Sequence, residues 1–162
     1  MKRALVIFVT SASCLLVGAQ AASAVTITQS GGLHFVGTPT VTTTKDATSA
    51  TLSAIGEVAG AGTTATATLT ATAEVTTGCI NRGSKDQQPS GLERTFTQVS
   101  DTDTFRTRSG RGTFSLSTTV DIDRTCPDQM VPVLVSVVFH DVTVTVTSQT
   151  GTTTAFFGDI DP

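Results

Sequence analysis

The stretch TTATATLTATAEVTT, residues 63–77, alternates without a break. Ala65, Ala67, Leu69, Ala71, Ala73 and Val75 fall on one side of an extended chain. Thr64, Thr66, Thr68, Thr70, Thr72, Glu74 and Thr76 fall on the other. A period of two sustained this long predicts a half-buried antiparallel strand. An alanine-rich helix is the rival, but a period of two would smear the apolar residues around its circumference, and interleaved β-branched threonines oppose it. Most of the inward residues are alanine, so larger side chains must face them. Phe114 and Leu116 are the candidates.

Working outward, Thr113–Asp123 alternates in the same way, with Phe114, Leu116, Val120 and Ile122 on one side. A third long strand is expected from Val131 to about Thr147. Val133, Val135, Val137 and Phe139 share one phase; Val142, Val144 and Val146 share the other. A change of phase requires an extra residue, so a bulge or bend is expected at His140-Asp141. A similar shift is expected around Gly56, where Ala50, Leu52 and Ala54 give way to Ile55 and Val58. Shorter strands are expected at Val25–Thr28, Leu33–Val36, Thr40–Thr44, Arg94–Val99, Thr104–Arg108 and Thr153–Phe157. Turn signals such as Gly31-Gly32, Lys45-Asp46, Gly60-Ala61-Gly62 and Ser109-Gly110 separate them. The segment NRGSKDQQPSGLE, residues 81–93, reads as an exposed loop. The expected fold is all-β: an antiparallel β-sandwich, immunoglobulin-like in the broad sense.

The N-terminus has a different character. Lys2 and Arg3 precede an apolar run from Ala4 to Val17, and Ala22-Ser23-Ala24 supplies an A-x-A cleavage site. Ala19-Gln20-Ala21 offers a competing register. The run is shorter than the roughly 20 residues that span a bilayer as a helix. Residues 1–24 therefore read as a secretory signal peptide and residues 25–162 as a single β-sandwich domain, with no membrane span left after cleavage. Three cysteines is an odd count for an exported protein, but Cys14 lies within the signal, leaving Cys79 and Cys126. In an oxidising compartment that pair is expected as a disulfide tying the end of the 63–77 strand to the start of the 131–147 strand.

Removing the signal leaves 8 basic and 13 acidic residues, a balance that argues against a nucleic-acid partner. Six of those basic residues fall between Arg82 and Arg111, where ordinary solvated charges are the simpler reading of a local basic face. There is no Trp or Tyr, which counts against sugar-gripping platforms. The single Asn, Asn81, does not open a glycosylation sequon. Catalytic groupings are scarce. The two histidines are His34 and His140, and neither sits beside a serine in a nucleophile-elbow context. A contact between His140 and Asp141 is conceivable at the expected bulge. Asp121 and Asp123 would share a strand face and could converge on a cation, with Arg124 partly neutralising them. D-x-D alone falls well short of the six to eight oxygens calcium takes. No metal or cofactor is expected.

The motifs Cys79-Ile80-Asn81-Arg82-Gly83 and Cys126-Pro127 resemble a group of secreted actinobacterial Ala/Thr-rich β-sandwich proteins. That resemblance implies a secreted β-sandwich and supplies no catalytic residues. A vaguer similarity links the chain to neocarzinostatin-type chromophore carriers, which have two disulfides where this chain has one pair. The expectation is a secreted or cell-surface-associated, non-enzymatic protein acting on an extracellular or cell-surface partner by binding or structure. A small-ligand carrier, with a cleft lined by Ala faces and nearby Phe, is the alternative, and a hydrolytic enzyme comes last.

Overall fold

The alternation at 63–77 is one part of a longer strand. A computed structural model describes residues 25–82 and 88–162. Its strands are β1 (Thr26–Gly31), β2 (His34–Phe35), β3 (Thr40–Lys45), β4 (Ser49–Ala59), β5 (Thr64–Asn81), β6 (Ser90–Arg106), β7 (Gly112–Asp121), β8 (Met130–Ser148) and β9 (Gly151–Ile160). No helix forms among the described residues. Residues 1–24, read from sequence as a signal, lie outside them.

Two antiparallel sheets result. The larger runs β1-β9-β8-β5-β6. In the smaller, β4 is central: β2 and β3 lie end to end along one edge, and β7 covers the other. Both stack on one core. Ala65, Ala67, Leu69, Ala71, Ala73 and Val75 of β5 are all buried, and so are Leu52, Ala54, Phe114 and Leu116 of the small sheet. The predicted large residues over the alanine stripe are therefore present. Three rings join the sheets at one corner: Phe114 stands 6.2 Å from Phe35 and 6.3 Å from Phe105, centroid to centroid.

The expected phase shift at Gly56 does not occur. The β4–β7 pairing runs from Ser49↔Asp121 to Val58↔Gly112 with no bulge. Ala50, Leu52, Ala54 and Val58 keep one face, and Ile55 is turned out at 54% exposure. Gly56 takes the inward place between Ala54 and Val58 because its cross-strand partner, Phe114, lies over it. A Cβ there would sit 2.6 Å from the ring's Cζ. A missing side chain thus imitates a change of phase, since the ring from the next strand fills the space.

The bulge at His140-Asp141 does occur. Thr70 pairs with Thr143 and Thr72 with His140, so two residues of β8 oppose Ala71 alone. Asp141 takes the left-handed conformation at φ 55°, which Asp tolerates better than most residues. A second irregularity has no counterpart in the sequence pattern. Thr76 pairs with Ser136 but Thr77 with Leu134, leaving Val135 as an extra residue. Leu134 is therefore buried in the place expected of Val133 and Val135, both of which are only half-buried.

The two strands expected at 94–99 and 104–108 form one, β6, which begins at Ser90 and absorbs the last residues of the expected loop. Residues 83–87 of that loop lie outside the described ones. β5, β6 and β8 consequently run past the small sheet into a three-stranded tip. Its inner face is covered by the connection between β7 and β8. Cys126 in that connection is bonded to Cys79, with Cα atoms 5.9 Å apart. Arg124 reaches in beside it, donating to the Thr77 carbonyl at 2.9 Å, to Thr77 Oγ1 at 3.0 Å and to the Gly91 carbonyl. The turn before β4 closes the other side: Leu134 N donates to the Ala47 carbonyl at 2.8 Å, and Lys45 Nζ to the Val135 carbonyl at 2.6 Å.

The disulfide closes a loop with a sequence separation of 47, which on the chain-entropy relation contributes about 4 kcal/mol. Replacing both cysteines by serine should lower the melting temperature by on the order of 10 °C, measured by circular dichroism; an unchanged midpoint would show the tip needs no staple. Gly56→Ala should cost about 1–3 kcal/mol by overpacking Phe114, measured by urea unfolding.

Candidate functional site

The β8 bulge gathers the most concentrated polar chemistry among the described residues. Because Asp141 is an extra residue, His140 stands on the outer face of the large sheet, opposite Thr72 and one step from Glu74. Its Nε2 lies 3.0 Å from Glu74 Oε2, and its Nδ1 lies 3.0 Å from Asp159 Oδ2. The other oxygen of Glu74 takes Arg94 Nη1 at 3.0 Å. Asp141 gives its backbone N–H to Asp159 Oδ1 at 3.4 Å. The anticipated His–Asp contact thus exists with a different aspartate. Asp159 comes from β9, eighteen residues away from Asp141, and the β8–β9 hairpin brings it back to the bulge.

The geometry favours the protonated ring. A neutral imidazole has one donor nitrogen and one acceptor, whereas here each nitrogen faces a carboxylate acceptor. Only the imidazolium donates to both. The hydrogen bonds to Asp159 and then Glu74 accordingly hold the His140 pKa above its ordinary value, and the His140 bond holds Asp159 below its own. In its protonated form the ring has both nitrogens engaged by carboxylates. The arrangement ties β5, β8 and β9 together where the ladder is interrupted.

Beside it lies a shallow depression of about 490 Å³ on the outer face, bordered by Thr70, Thr72, Gln98, Ser100, Asp141 and Thr143. Its walls offer hydroxyls, one amide and one carboxylate.

The other sequence candidates are dispersed. Asp121 ends β7, and Asp123 lies beyond it in the connection, so the two do not share a strand face. Arg124 turns away from them to the tip, where its nearest carboxylate is Glu93 at 3.8 Å. Among the described residues no group of three or more His, Cys, Asp or Glu side chains could hold a metal ion. Asp101 joins the two sheets. One of its carboxylate oxygens accepts the Ser117 N–H at 2.7 Å, joining the edge of the large sheet to that of the small one. His34 faces solvent between buried Leu33 and Phe35. Of the basic residues, Arg94 pairs with Glu74, Arg111 with Glu57 at 3.5 Å, and Arg124 turns inward, while Arg108 and Arg111 face each other across the β6–β7 turn. Of the alanine stripe, Ala67 and Ala73 are fully buried in the core, while Ala71 borders the depression.

One feature has only a faint signal in the sequence. Leu92 and Phe96 are each 62% exposed on the outer face of the tip. Gly78 lies beneath Leu92, with Pro89 and Val135 around it. The cue is a pair of large apolar residues flanking Glu93-Arg94-Thr95 in a polar surrounding.

No family model matches the chain, and no curated protein matches it.

The clamp carries a pH dependence whose sign follows from its shifts. His140 gains its partners when protonated, so its stabilisation is full below about pH 6.5 and fades as pH rises through its raised folded-state value. Asp159 contributes above about pH 3.9, and its share fades as pH falls through its lowered value. His140→Ala should therefore depress the melting temperature at pH 5.5 and have a much smaller effect at pH 9. A deficit that is the same at both pH values would show that the ring acts by packing alone.

Proposed function

We propose that this chain is an exported, non-enzymatic domain that works outside the cytoplasm by binding, with a protein at the cell surface or in the medium as its partner. The observation that carries this reading is the tip. Three strands extend beyond the small sheet, are stapled by Cys79–Cys126, and present Leu92, packed with Pro89 and Val135 over Gly78, and Phe96 to solvent, the Arg94–Glu74 ion pair lying between the two. Large apolar side chains grouped on a rigid projection are the usual mark of an interaction surface rather than of a solvated strand face. Export is supported by the signal-like residues 1–24 and by the disulfide, which belongs to oxidising compartments. No helix among the described residues is long and apolar enough to cross a membrane. The clamped state of His140 supports the non-enzymatic side of the reading. The framework suits a broadly immunoglobulin-like scaffold, and the resemblance to secreted actinobacterial Ala/Thr-rich proteins points the same way. Fold alone would not assign the role.

The test is a pull-down from the source organism's medium and cell surface, using the disulfide-bonded full chain and a Leu92→Ser/Phe96→Ser variant as baits. A partner held by the native chain and released by the variant is the expected outcome. Equal capture by both, or turnover of hydrolase substrates by the purified native chain, would overturn the reading.

A further inference from the structure

The outer face of the large sheet carries a pattern that the tip does not use. The strand registers align Thr28, Thr154, Thr145, Thr68 and Thr102 in one row across β1, β9, β8, β5 and β6. Two residues along each strand, Ser30, Thr152, Thr147, Thr66 and Thr104 form a second row. Thr143 and Thr70 continue the pattern toward the bulge, where the exposed Phe156 of β9 interrupts it between Thr26 and Thr143. The two complete rows thus hold nine threonines and one serine, with no charged residue. Ordinary outward sheet faces mix Lys, Arg, Glu and Asp. Here charge begins only beyond the array, at Asp141 and His140 on one side and Arg106 on the other.

The hydroxyls are ordered before anything binds. Thr66 and Thr104 are bonded to each other at 2.9 Å, Thr102 and Thr68 at 3.2 Å, Thr145 and Thr154 at 3.2 Å, and Thr152 and Thr147 at 3.4 Å. Branching at Cβ restricts χ1, and the sheet fixes the backbone. Each threonine thus repeats one methyl and one hydroxyl, about 4.8 Å apart across strands and about 6.7 Å apart along them. Immobilising such a face against a ligand loses little further entropy.

A neutral, periodic face with neither a deep pocket nor a charge gives little grip on a single small molecule. It fits a ligand that is itself periodic and uncharged. We propose that this face binds ice: the methyls hold water in cages, the hydroxyls anchor it, and both array periods lie close to repeats of the ice lattice. A crystalline polysaccharide would call for an aromatic stripe, and the two complete rows contain no ring. Sheet twist limits the match. Neighbouring strands rotate by roughly 20–25°, so the lattice fit is confined to the central strands β9, β8 and β5. That makes Thr154, Thr145 and Thr68 the positions on which binding turns. The small sheet provides an internal control, since its outer face is also rich in Thr and Ser but is narrower and is broken by Ile55 and Glu57.

The test uses the full chain, prepared with its disulfide formed, in assays of ice recrystallisation and of partition into a growing ice front. The native chain should slow recrystallisation and enter the ice. Thr68→Tyr and Thr145→Tyr should reduce both to the level of an inert control protein while keeping the native circular dichroism spectrum and melting temperature. Thr145→Lys gives the same reading should a tyrosine disturb the fold. Thr51→Tyr on the small sheet and Leu92→Ser/Phe96→Ser at the tip should leave both activities intact, which separates this proposal from the tip reading. A native chain that behaves as the inert control would overturn it. So would equal loss from Thr51→Tyr, or retention on insoluble chitin or cellulose in place of ice.

Discussion

The structure depends on what lies over the alanine stripe of β5. That strand is bonded on both edges for most of its length, to β6 and to β8, so its backbone is satisfied within the large sheet. Its inward residues are nonetheless too small to exclude water alone. Burial has to come from the opposite layer, where Leu52, Val58, Phe114 and Leu116 supply the volume. Small residues on one layer and large ones on the other interdigitate at native density more readily than two layers of equal size. The pairing is asymmetric in consequence. The small sheet is held to the large one chiefly by side chains, with the Asp101–Ser117 bond and the corner of Phe35, Phe105 and Phe114 pinning one flank.

Where the small sheet stops, something else must cover β5 and β8. The connection between β7 and β8 does so with different chemistry. A disulfide replaces area, and Arg124 supplies donors to the Thr77 and Gly91 carbonyls. Arg124 is well buried while its acidic neighbour Glu93 remains exposed, so the carbonyl bonds matter more than that distant ion pair. The tip can therefore project without a hydrophobic core of its own.

Much of this is legible in the residues, and the failures have physical causes. Alternation reports which face a residue occupies, and it locates β5, β7, the outer half of β8 and the His140 bulge, because each pairs with neighbours of constant phase. Around Gly56 it misleads, since a glycine inward and an isoleucine outward look like a reversal when Phe114 of the neighbouring strand fills the gap. At Val131–Val135 nearly every residue is apolar, so no phase exists to read, and the second bulge is invisible. The disulfide follows from counting cysteines. The partners of His140 do not follow from sequence, because Glu74 and Asp159 lie on strands whose registers are set by the two bulges. The Thr rows are visible only as composition: alternation shows that threonines point outward, while their alignment across five strands is a property of pairing.

The division of the surface follows from the same bulges. Regular pairing gives regular rows, and over the stretch from Thr143 to Thr147 β8 keeps an unbroken register with both β5 and β9. The Thr array occupies that region. At Asp141 the ladder is interrupted, backbone groups lose their strand partners, and charged side chains enter to satisfy them: Asp159 accepts the Asp141 N–H, and His140 joins the carboxylates on either side. Past the seam β9 has ended: Phe96 stands exposed opposite Glu74, and beyond the second slip at Val135 Leu92 is exposed over Gly78. The extra residues in β8 thus partition a single sheet face into a neutral array, a charged seam and a tip that exposes Leu92. Their distinct chemistries follow from how completely the backbone beneath each is paired.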